Sequence, residues 1–265
     1  MSLVSAAPPV VIAQNAVRPA AKTLGAGGST SAIGPQPLVV KHLGVMPYAE
    51  MLAAMRAFTA ARDDATTDEL WLTVHPPVYT LGLAGKREHV LDVHGIEVVQ
   101  SDRGGQVTYH GPGQVIAYLL LDLKRRGLKV RELVRLIEDA VIATLAQYGV
   151  PGERQSGMPG VYVGGAKIAA LGLKVKQGCC YHGLSLNVDM DLAPFAGINP
   201  CGYQGLQVTS LAAFDVRATC DDTGHRVAAQ LTKVLAACLG AATARAASAS
   251  APAVAHAAHA PAASV

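Results

Sequence analysis

Near the middle of the chain, residues 115–121 read VIAYLLL, an apolar run without interruption. Such a run is typical of a strand buried in the centre of a sheet. Other strand-like runs lie at 69–74, 160–163, 167–173 and 181–188. The last three follow one another with glycines in their turns, so we expect them to form an antiparallel meander.

Three segments repeat apolar side chains at intervals of three and four residues, which is helical periodicity. They are 47–63, 130–148 and 224–240. Strands and helices mix without a regular βαβ alternation. The pattern predicts an α+β fold, a single domain with a mixed β-sheet and packed helices, with all three helices on one side of the sheet.

The two ends of the 265-residue chain differ in composition from its middle. Residues 1–37 are rich in Ala, Pro, Gly and Ser, and residues 241–265 contain 14 alanines. We predict that both are disordered extensions of one domain at 38–240. The extensions carry three basic residues and no acidic ones, which leaves 19 basic and 19 acidic side chains in the domain. A neutral domain argues against nucleic acid as a partner.

The sequence also limits location and metal content. No apolar run approaches the roughly 20 residues that span a bilayer, and the N-terminus lacks the pattern of a signal peptide. The five cysteines are odd in number and match no disulfide or zinc spacing. We therefore expect a cytoplasmic protein with no membrane partner and no metal site.

Two residues predict covalent chemistry. Cys201 lies between Pro200 and Gly202, where a sharp turn would leave its thiol accessible. Lys167 lies among small residues, where partial desolvation would lower its pKa and let it exchange protons near neutral pH. We interpret them as a nucleophile and its base. A buried structural thiol and a solvated lysine remain the alternatives.

The stretch 103–114, RGGQVTYHGPGQ, is predicted to be a ligand-binding loop at a strand edge. It matches neither a P-loop nor a dinucleotide fingerprint. His182, in the strand-like run 181–188, is either a second titratable group of the site or a structural residue. A basic patch flanks the second predicted helix and is either a solvated face or a docking surface for an acidic partner. Its members are Lys124, Arg125, Arg126, Lys129, Arg131 and Arg135.

Four motifs between about 70 and 215 resemble, in the same order, the lipoyl (octanoyl) transferase family, the octanoyl-acyl carrier protein:protein octanoyltransferases. They are HPP at 75–77, the stretch 103–114, the segment 167–172, and the run from YHG at 181–183 to NPCGY at 199–203. The resemblance implies that 38–240 is a catalytic domain similar in fold to those of lipoate and biotin protein ligases.

The resemblance also implies a two-step acyl transfer without a cofactor. Cys201 would take the octanoyl group from octanoyl-acyl carrier protein as a thioester. A lysine of a lipoyl domain would then accept it as an amide, as a step in lipoate biosynthesis and protein lipoylation. The implied acceptors are the lipoyl domains of 2-oxoacid dehydrogenase complexes and the glycine cleavage H protein. Lys167 would stabilise the thiolate and shuttle protons.

An acyl pocket follows from the same resemblance, with backbone amides expected to face the thioester carbonyl. Its implied lining residues are Arg103, Gly104, Gly105, Gln106, Val107, Thr108, Tyr109, His110, Ala170, Leu171, Gly172, Gly183, Leu184 and Ser185.

Three other functions remain open at this point. An ATP-dependent lipoate or biotin ligase would form an acyl adenylate and need no nucleophilic cysteine. A non-catalytic module would bind acyl carrier protein or lipoyl domains through the basic patch. A cysteine hydrolase would share the covalent step but use water as the acceptor.

Overall fold

The computed structural model describes residues 38–249, and its side chains as far as 238. The helices are α1 (Tyr48–Ala61), α2 (Val130–Ala146) and α3 (Cys220–Ala249). The strands are β1 (Val39–Val45), β2 (Glu69–Val74), β3 (Val78–Leu81), β4 (Val98–Gln100), β5 (Val107–His110), β6 (Gln114–Asp122), β7 (Glu153–Gln155), β8 (Met158–Val163), β9 (Ala166–Lys176) and β10 (Cys179–Asn187).

The strands form two sheets. The large sheet has the order β1-β2-β6-β10-β9-β8-β7, in which only the β1–β2 pair is parallel. The small sheet has the order β4-β3-β5, with β3 parallel to β4 and antiparallel to β5. The predicted mixed sheet and the β8-β9-β10 meander are confirmed. The stretch 103–114 is not entirely the predicted loop, because it contains β5.

Strand β6 lies at the centre of the large sheet and is buried on both faces. Because successive side chains of a strand point to opposite faces, the strand contributes to two cores. Leu119 and Leu121 pack in the core that contains α2 and α3. Tyr118 and Leu120 pack in a second core, which contains α1. The prediction of all three helices on one side is therefore wrong, because a strand apolar on both faces needs cover on both.

Helix α2 shows why these segments become helices. Its start is stabilised where the Glu132 carboxylate accepts a hydrogen bond from the Lys129 N–H at 2.8 Å, which satisfies a free donor of the first turn. Its apolar stripe, with Leu133 and Ile137, is fully buried. The helix ends at Ala146, and the turn that follows contains Gly149, whose φ of +73° suits glycine.

Helix α3 is longer than the predicted segment 224–240. It begins at Cys220 and continues to Ala249, nine residues into the segment expected to be a disordered tail. Alanine has the highest helix propensity, and the first proline after this point is Pro252. Residues 1–37 and 250–265 lie outside the described residues. Among the helices that are described, none is both long enough and apolar enough to cross a membrane.

Candidate active site

Lys167 and Cys201 lie side by side, although they are far apart in the sequence. The Lys167 Nζ donates a hydrogen bond to the Cys201 Sγ at 3.0 Å and another to the Pro159 carbonyl oxygen at 3.2 Å. An ammonium at this distance favours a thiolate, which is the nucleophilic form of a cysteine. The pair has the geometry of a thiol and its proton partner.

Backbone geometry fixes both members of this pair. Cys201 lies in a short 3₁₀ turn (Pro200–Gly202), and its φ of +56° is in the left-handed region. That conformation is uncommon for a residue other than glycine and concentrates at functional sites. Lys167 is held near the start of β9. Its N–H donates to the Gln207 carbonyl oxygen at 2.8 Å, and its own carbonyl accepts from the Thr209 N–H at 3.0 Å.

The pKa of Lys167 is raised, so the prediction of a lowered pKa is wrong. The side chain is only 4% exposed, and burial lowers the pKa as expected. The charge and hydrogen bond of the Cys201 sulfur, followed by the Tyr162 hydroxyl, outweigh burial. The Tyr162 ring centroid also lies 5.2 Å from the Lys167 Nζ, a cation–π distance. The ammonium therefore persists while the sulfur opposite it is anionic.

A cavity opens beside Cys201, and the space between its walls, part of it open to solvent, is about 490 Å³. Its walls come from α1, β5, β6, β9 and β10. Most of the predicted lining belongs to it: Arg103, Gly105, Gln106, Val107, Thr108, His110, Ala170, Leu171, Gly172, Gly183, Leu184 and Ser185. The structure thus brings three separate sequence motifs together around one space.

The structure does not place Gly104 and Tyr109 on this lining. Tyr109 lies in β5, where alternate side chains point to opposite faces, and it points away from the cavity. Its ring packs against Tyr79 and Phe195, with centroids 5.5 Å apart in each pair. Gly104 makes a backbone contact, its N–H donating to the Leu173 carbonyl oxygen at 2.9 Å.

Four lining residues were not among those predicted: Tyr48, Ile116, Tyr118 and His182. The alternation along β6 places Ile116 and Tyr118 on the α1 side of the sheet, so the apolar run carried a signal for both. No sequence pattern indicated that Tyr48 lines the cavity, because the position of α1 over this face depends on tertiary packing.

A buried hydrogen-bonded pair, His75 and Tyr118, supports one wall of the cavity. The His75 Nδ1–H donates to the Met46 carbonyl oxygen at 2.6 Å, so its Nε2 accepts from the Tyr118 hydroxyl at 2.7 Å. Burial lowers the pKa of His75 and raises that of Tyr118. Burial, and to a smaller extent His75, lowers the pKa of His110 to about 3. These groups are polar but uncharged near pH 7.

Arg103 brings a buried positive charge to the lining. Its guanidinium donates to the Thr80 hydroxyl at 2.9 and 3.1 Å, to the Thr80 carbonyl oxygen at 2.6 Å and to the Gly104 carbonyl oxygen at 3.0 Å. Burial lowers the pKa of Arg103, and the facing Tyr48 and Cys201 act against that shift. The acceptors are neutral, so the cation is free to stabilise negative charge on the Cys201 sulfur.

Asp102 anchors His182 beside the cavity. The His182 Nε2 lies 2.9 Å from the Asp102 Oδ1, and the other carboxylate oxygen accepts from Tyr181 at 2.7 Å and from Arg56 at 3.0 Å. Burial raises the pKa of Asp102, but the hydrogen bonds from Tyr181, His182 and Arg56 lower it to about 2. Asp102 is therefore a carboxylate that only accepts, and the nitrogen that faces it carries the proton.

The predicted basic patch is smaller than its sequence suggests. Arg125 and Arg126 turn inward to the buried carboxylate of Asp68. Arg126 is only 4% exposed, so it offers no charge to a partner. A solvated face or a docking surface for an acidic partner could thus include only the remaining four residues, Lys124, Lys129, Arg131 and Arg135.

A separate group of potential metal ligands lies on the surface, away from the cavity. His42, Asp221 and His225 are exposed, and their ligand atoms lie within 4.8 Å of one another. None of the three lines the cavity. The expectation of no metal site stays a prediction.

Solved structures share the fold. A bi-partite lipoate protein ligase from Thermoplasma acidophilum superposes with a TM-score of 0.64 at 16% identity, over 76% of this chain and 84% of that one. A lipoate-protein ligase A bound with ATP gives 0.63 at 16% identity, over 76% and 86%. The fold is that of the lipoate protein ligases, as the resemblance implied.

Sequence comparisons narrow this class. The family model described as the lipoyl protein ligase A/B catalytic domain matches residues 47–232. The octanoyltransferase of Azoarcus sp. (strain BH72) is 60% identical over 200 residues, which cover 75% of this chain and 88% of the relative. That of Dechloromonas aromatica (strain RCB) is 58% identical over 199 residues, covering 75% and 97%. The chain belongs to this family and, within it, to the octanoyltransferases, which are acyltransferases.

Proposed function

We propose that the protein transfers an octanoyl group from octanoyl-acyl carrier protein to a lysine of a lipoyl domain, through a thioester on Cys201. The observation that carries the proposal is the 3.0 Å contact between the Lys167 Nζ and the Cys201 Sγ at the edge of the cavity. A ligase that forms an adenylate does not need a nucleophilic cysteine paired with a lysine. A binding module does not need a thiol that is held in a strained backbone conformation beside a lysine ammonium.

In the first step, the Cys201 thiolate attacks the thioester carbonyl carbon of the donor. A carbon–sulfur bond forms to Cys201, and the bond to the carrier sulfur breaks. The departing thiolate takes a proton from the Lys167 ammonium. Because one thioester replaces another, the step needs no ATP.

In the second step, the amine of the acceptor lysine attacks the Cys201 thioester. Its proton passes to the neutral Lys167, an amide forms, and the Cys201 sulfur leaves as a thiolate. The pair returns to its starting charge. An amide is more stable than a thioester, so this step runs downhill.

The opposing influences on the Lys167 pKa explain how one lysine serves both steps. The Cys201 sulfur raises this pKa and burial lowers it. Once the sulfur is acylated its negative charge is gone, and the influence of burial remains. Lys167 is therefore an acid in the resting enzyme and a base in the acyl-enzyme.

The cavity suits a medium-length acyl chain. Apolar residues, including Ile116 and Ala170, line it. Burial of each CH₂ group contributes about 0.8 kcal/mol, so an octanoyl chain adds several kcal/mol of binding free energy. We assign the reaction to the cytoplasm, with the lipoyl domains of 2-oxoacid dehydrogenase complexes and the glycine cleavage H protein as acceptors.

The test is transfer of octanoate from octanoyl-acyl carrier protein to a purified lipoyl domain, without ATP. We expect Cys201→Ser to lower kcat/KM by about 1,000-fold or more, because the nucleophile is lost. We expect Lys167→Met to lower it by about 100-fold or more, because the proton partner is lost.

Matched controls separate chemistry from folding. Cys220→Ser removes another partly buried thiol, and Lys174→Met removes another lysine of β9. Both should transfer at the wild-type rate. Wild-type rates in Cys201→Ser or Lys167→Met, or an absolute need for ATP, would overturn the proposal.

A further inference from the structure

His182 has a side chain on the unexpected side of its strand. Alternation along β10 would place it with Cys180 and Leu184, which pack in the core that contains α2 and α3. Its φ is +64°, in the left-handed region, and its ring instead stacks on Tyr181 with centroids 5.0 Å apart. Tyr181 belongs to the α1 side. The backbone inversion thus brings the imidazole into the cavity wall.

This inversion is strained, and the surroundings hold it in place. Residues other than glycine avoid the left-handed region, and those found there concentrate at functional sites. The Asp102 carboxylate fixes the ring through its Nε2, and Tyr181 and Arg56 fix the carboxylate. The position of His182 is therefore determined by a hydrogen-bonded cluster rather than by chance packing.

The cavity has two ends. Cys201, Ala170 and Ser185 also line a small adjoining cavity, whose walls include Lys167, so the thiol lies near Ser185. His182 lines the main cavity but not this one, and we infer that it lies at the end away from the thiol.

The separation of Ser185 and His182 along β10 is similar to the length of the proposed substrate. Three residues along β10 separate Ser185 from His182, a rise of about 10 Å. An extended octanoyl chain spans about 9 Å from its carbonyl carbon to its methyl carbon, since each of its bonds advances about 1.25 Å.

The end near His182 is polar. Burial lowers the pKa of His182 to about 4, so the ring is neutral near pH 7. Its Nε2 carries the proton that faces Asp102, and its Nδ1 is then a bare acceptor. In the part of the chain that the structure describes, this buried Nδ1 has no hydrogen-bond partner.

We propose that His182 is the specificity-determining residue of the acyl cavity, whose imidazole forms an end wall that accepts an octanoyl chain and excludes longer ones. This inference rests on the proposed function, because it takes the cavity to hold the acyl chain. Asp102 is a positioning residue that fixes the orientation of the His182 ring through a hydrogen bond.

The test compares hexanoyl, octanoyl and decanoyl donors on the same acyl carrier protein, with kcat/KM measured for each. The variant is His182→Gly, which removes the wall and also suits a positive φ. We expect the ratio of decanoyl to octanoyl transfer to rise at least about tenfold. His182→Asn is a second variant, because asparagine tolerates the left-handed region and is shorter than histidine, and it should shift the ratio in the same direction.

The chain offers a matched control in His94→Gly. His94 is another histidine with positive φ, at +46°, but it is exposed and does not line the cavity. Its ratio should equal that of the wild type. General damage to the fold would lower transfer from all three donors together, so a changed ratio reports the wall itself.

An unchanged ratio in either folded His182 variant would overturn the inference, as would a wild-type enzyme that transfers decanoyl and octanoyl groups equally well. These results differ from failure of the proposed function, in which the wild type would acylate no thiol with any donor.

Discussion

At the scale of single residues, the protonation state of a buried charged group depends on the groups that it contacts. Lys167 lies opposite a sulfur, and its pKa follows the charge of that sulfur as well as its own burial. The prediction of this pKa from the neighbouring residues included burial but not the charge of the sulfur, so it gave the wrong direction. The facing group is 34 residues away in the chain and is found only in the folded structure.

Asp68 is a second residue whose neighbours determine its state. Its side chain is only 2% exposed, and it contacts the guanidinium groups of Arg62, Arg125 and Arg126. Burial raises its pKa, but a hydrogen bond from the Asp122 N–H and the charges of Arg126 and Arg125 lower it below the usual value. The carboxylate thus stabilises the fold at neutral pH.

We predict that Asp68→Asn lowers the free energy of unfolding at pH 7 by about 3–5 kcal/mol, because three arginines lose their anion. A carboxylate with a lowered pKa contributes fully above about pH 4 and loses its contribution as the pH falls through the folded value. The difference from the wild type should therefore shrink in acid. Urea denaturation at pH 7 and pH 3 measures it.

The exposed Asp64→Asn is the control for this substitution, and it should leave the unfolding free energy unchanged at both pH values. An Asp68→Asn protein as stable as the wild type at pH 7 would contradict the prediction.

Some site residues could be predicted from local sequence motifs, and others could not. Twelve positions in three motifs were predicted and line the cavity, because motif order follows the strands that build it. Tyr109 was predicted by continuity of its motif, but strand alternation turns it away. His182 lies on the cavity side against alternation, because its φ is +64°. Backbone inversion at one residue leaves no pattern in the sequence.

At the scale of elements, the β6–β10 pair forms the floor of the site. Gly183 of β10 pairs with Tyr118 of β6 and with Gly172 of β9. A Cβ atom on Gly183 would lie 2.0 Å from the Ala117 carbonyl oxygen, which belongs to the paired backbone. The strands approach as closely as they do only because this position has no side chain.

We predict opposite effects from two glycine-to-alanine substitutions. Gly183→Ala should lower the free energy of unfolding by about 3 kcal/mol or more, because a strand must shift. Gly224→Ala should raise it by about 1 kcal/mol, because this glycine lies in α3. Its added Cβ would meet the nearest atom, the Leu72 Cδ1, at 3.6 Å, an ordinary contact. Chemical denaturation of both variants checks the pair.

Equal stability changes in the two glycine variants, or a gain in Gly183→Ala, would contradict this account of the strand pair.

The apolar run at 115–121 predicted the strand itself, and its unbroken character also implied cover on both faces. The prediction that all three helices lie on one side overlooked the need to cover the other face. The position of α1 is what completes the cavity, since Tyr48 of α1 lines it.

At the scale of the whole molecule, the large sheet separates a structural side from a chemical side. Helices α2 and α3 fill one face with an apolar core. The other face carries α1 and the cavity wall that ends at the Lys167–Cys201 pair. Residues from five separate elements meet there, which explains why the composition and periodicity predicted the elements better than their assembly.

The central claim is that Cys201 carries the acyl group, and intact-protein mass spectrometry tests it most directly. The full chain is mixed with octanoyl-acyl carrier protein, without ATP and without an acceptor. The account predicts a gain of one octanoyl group that hydroxylamine removes and that Cys201→Ala lacks. A folded wild type that gains no mass from an intact donor, or an adduct that persists in Cys201→Ala, would contradict it.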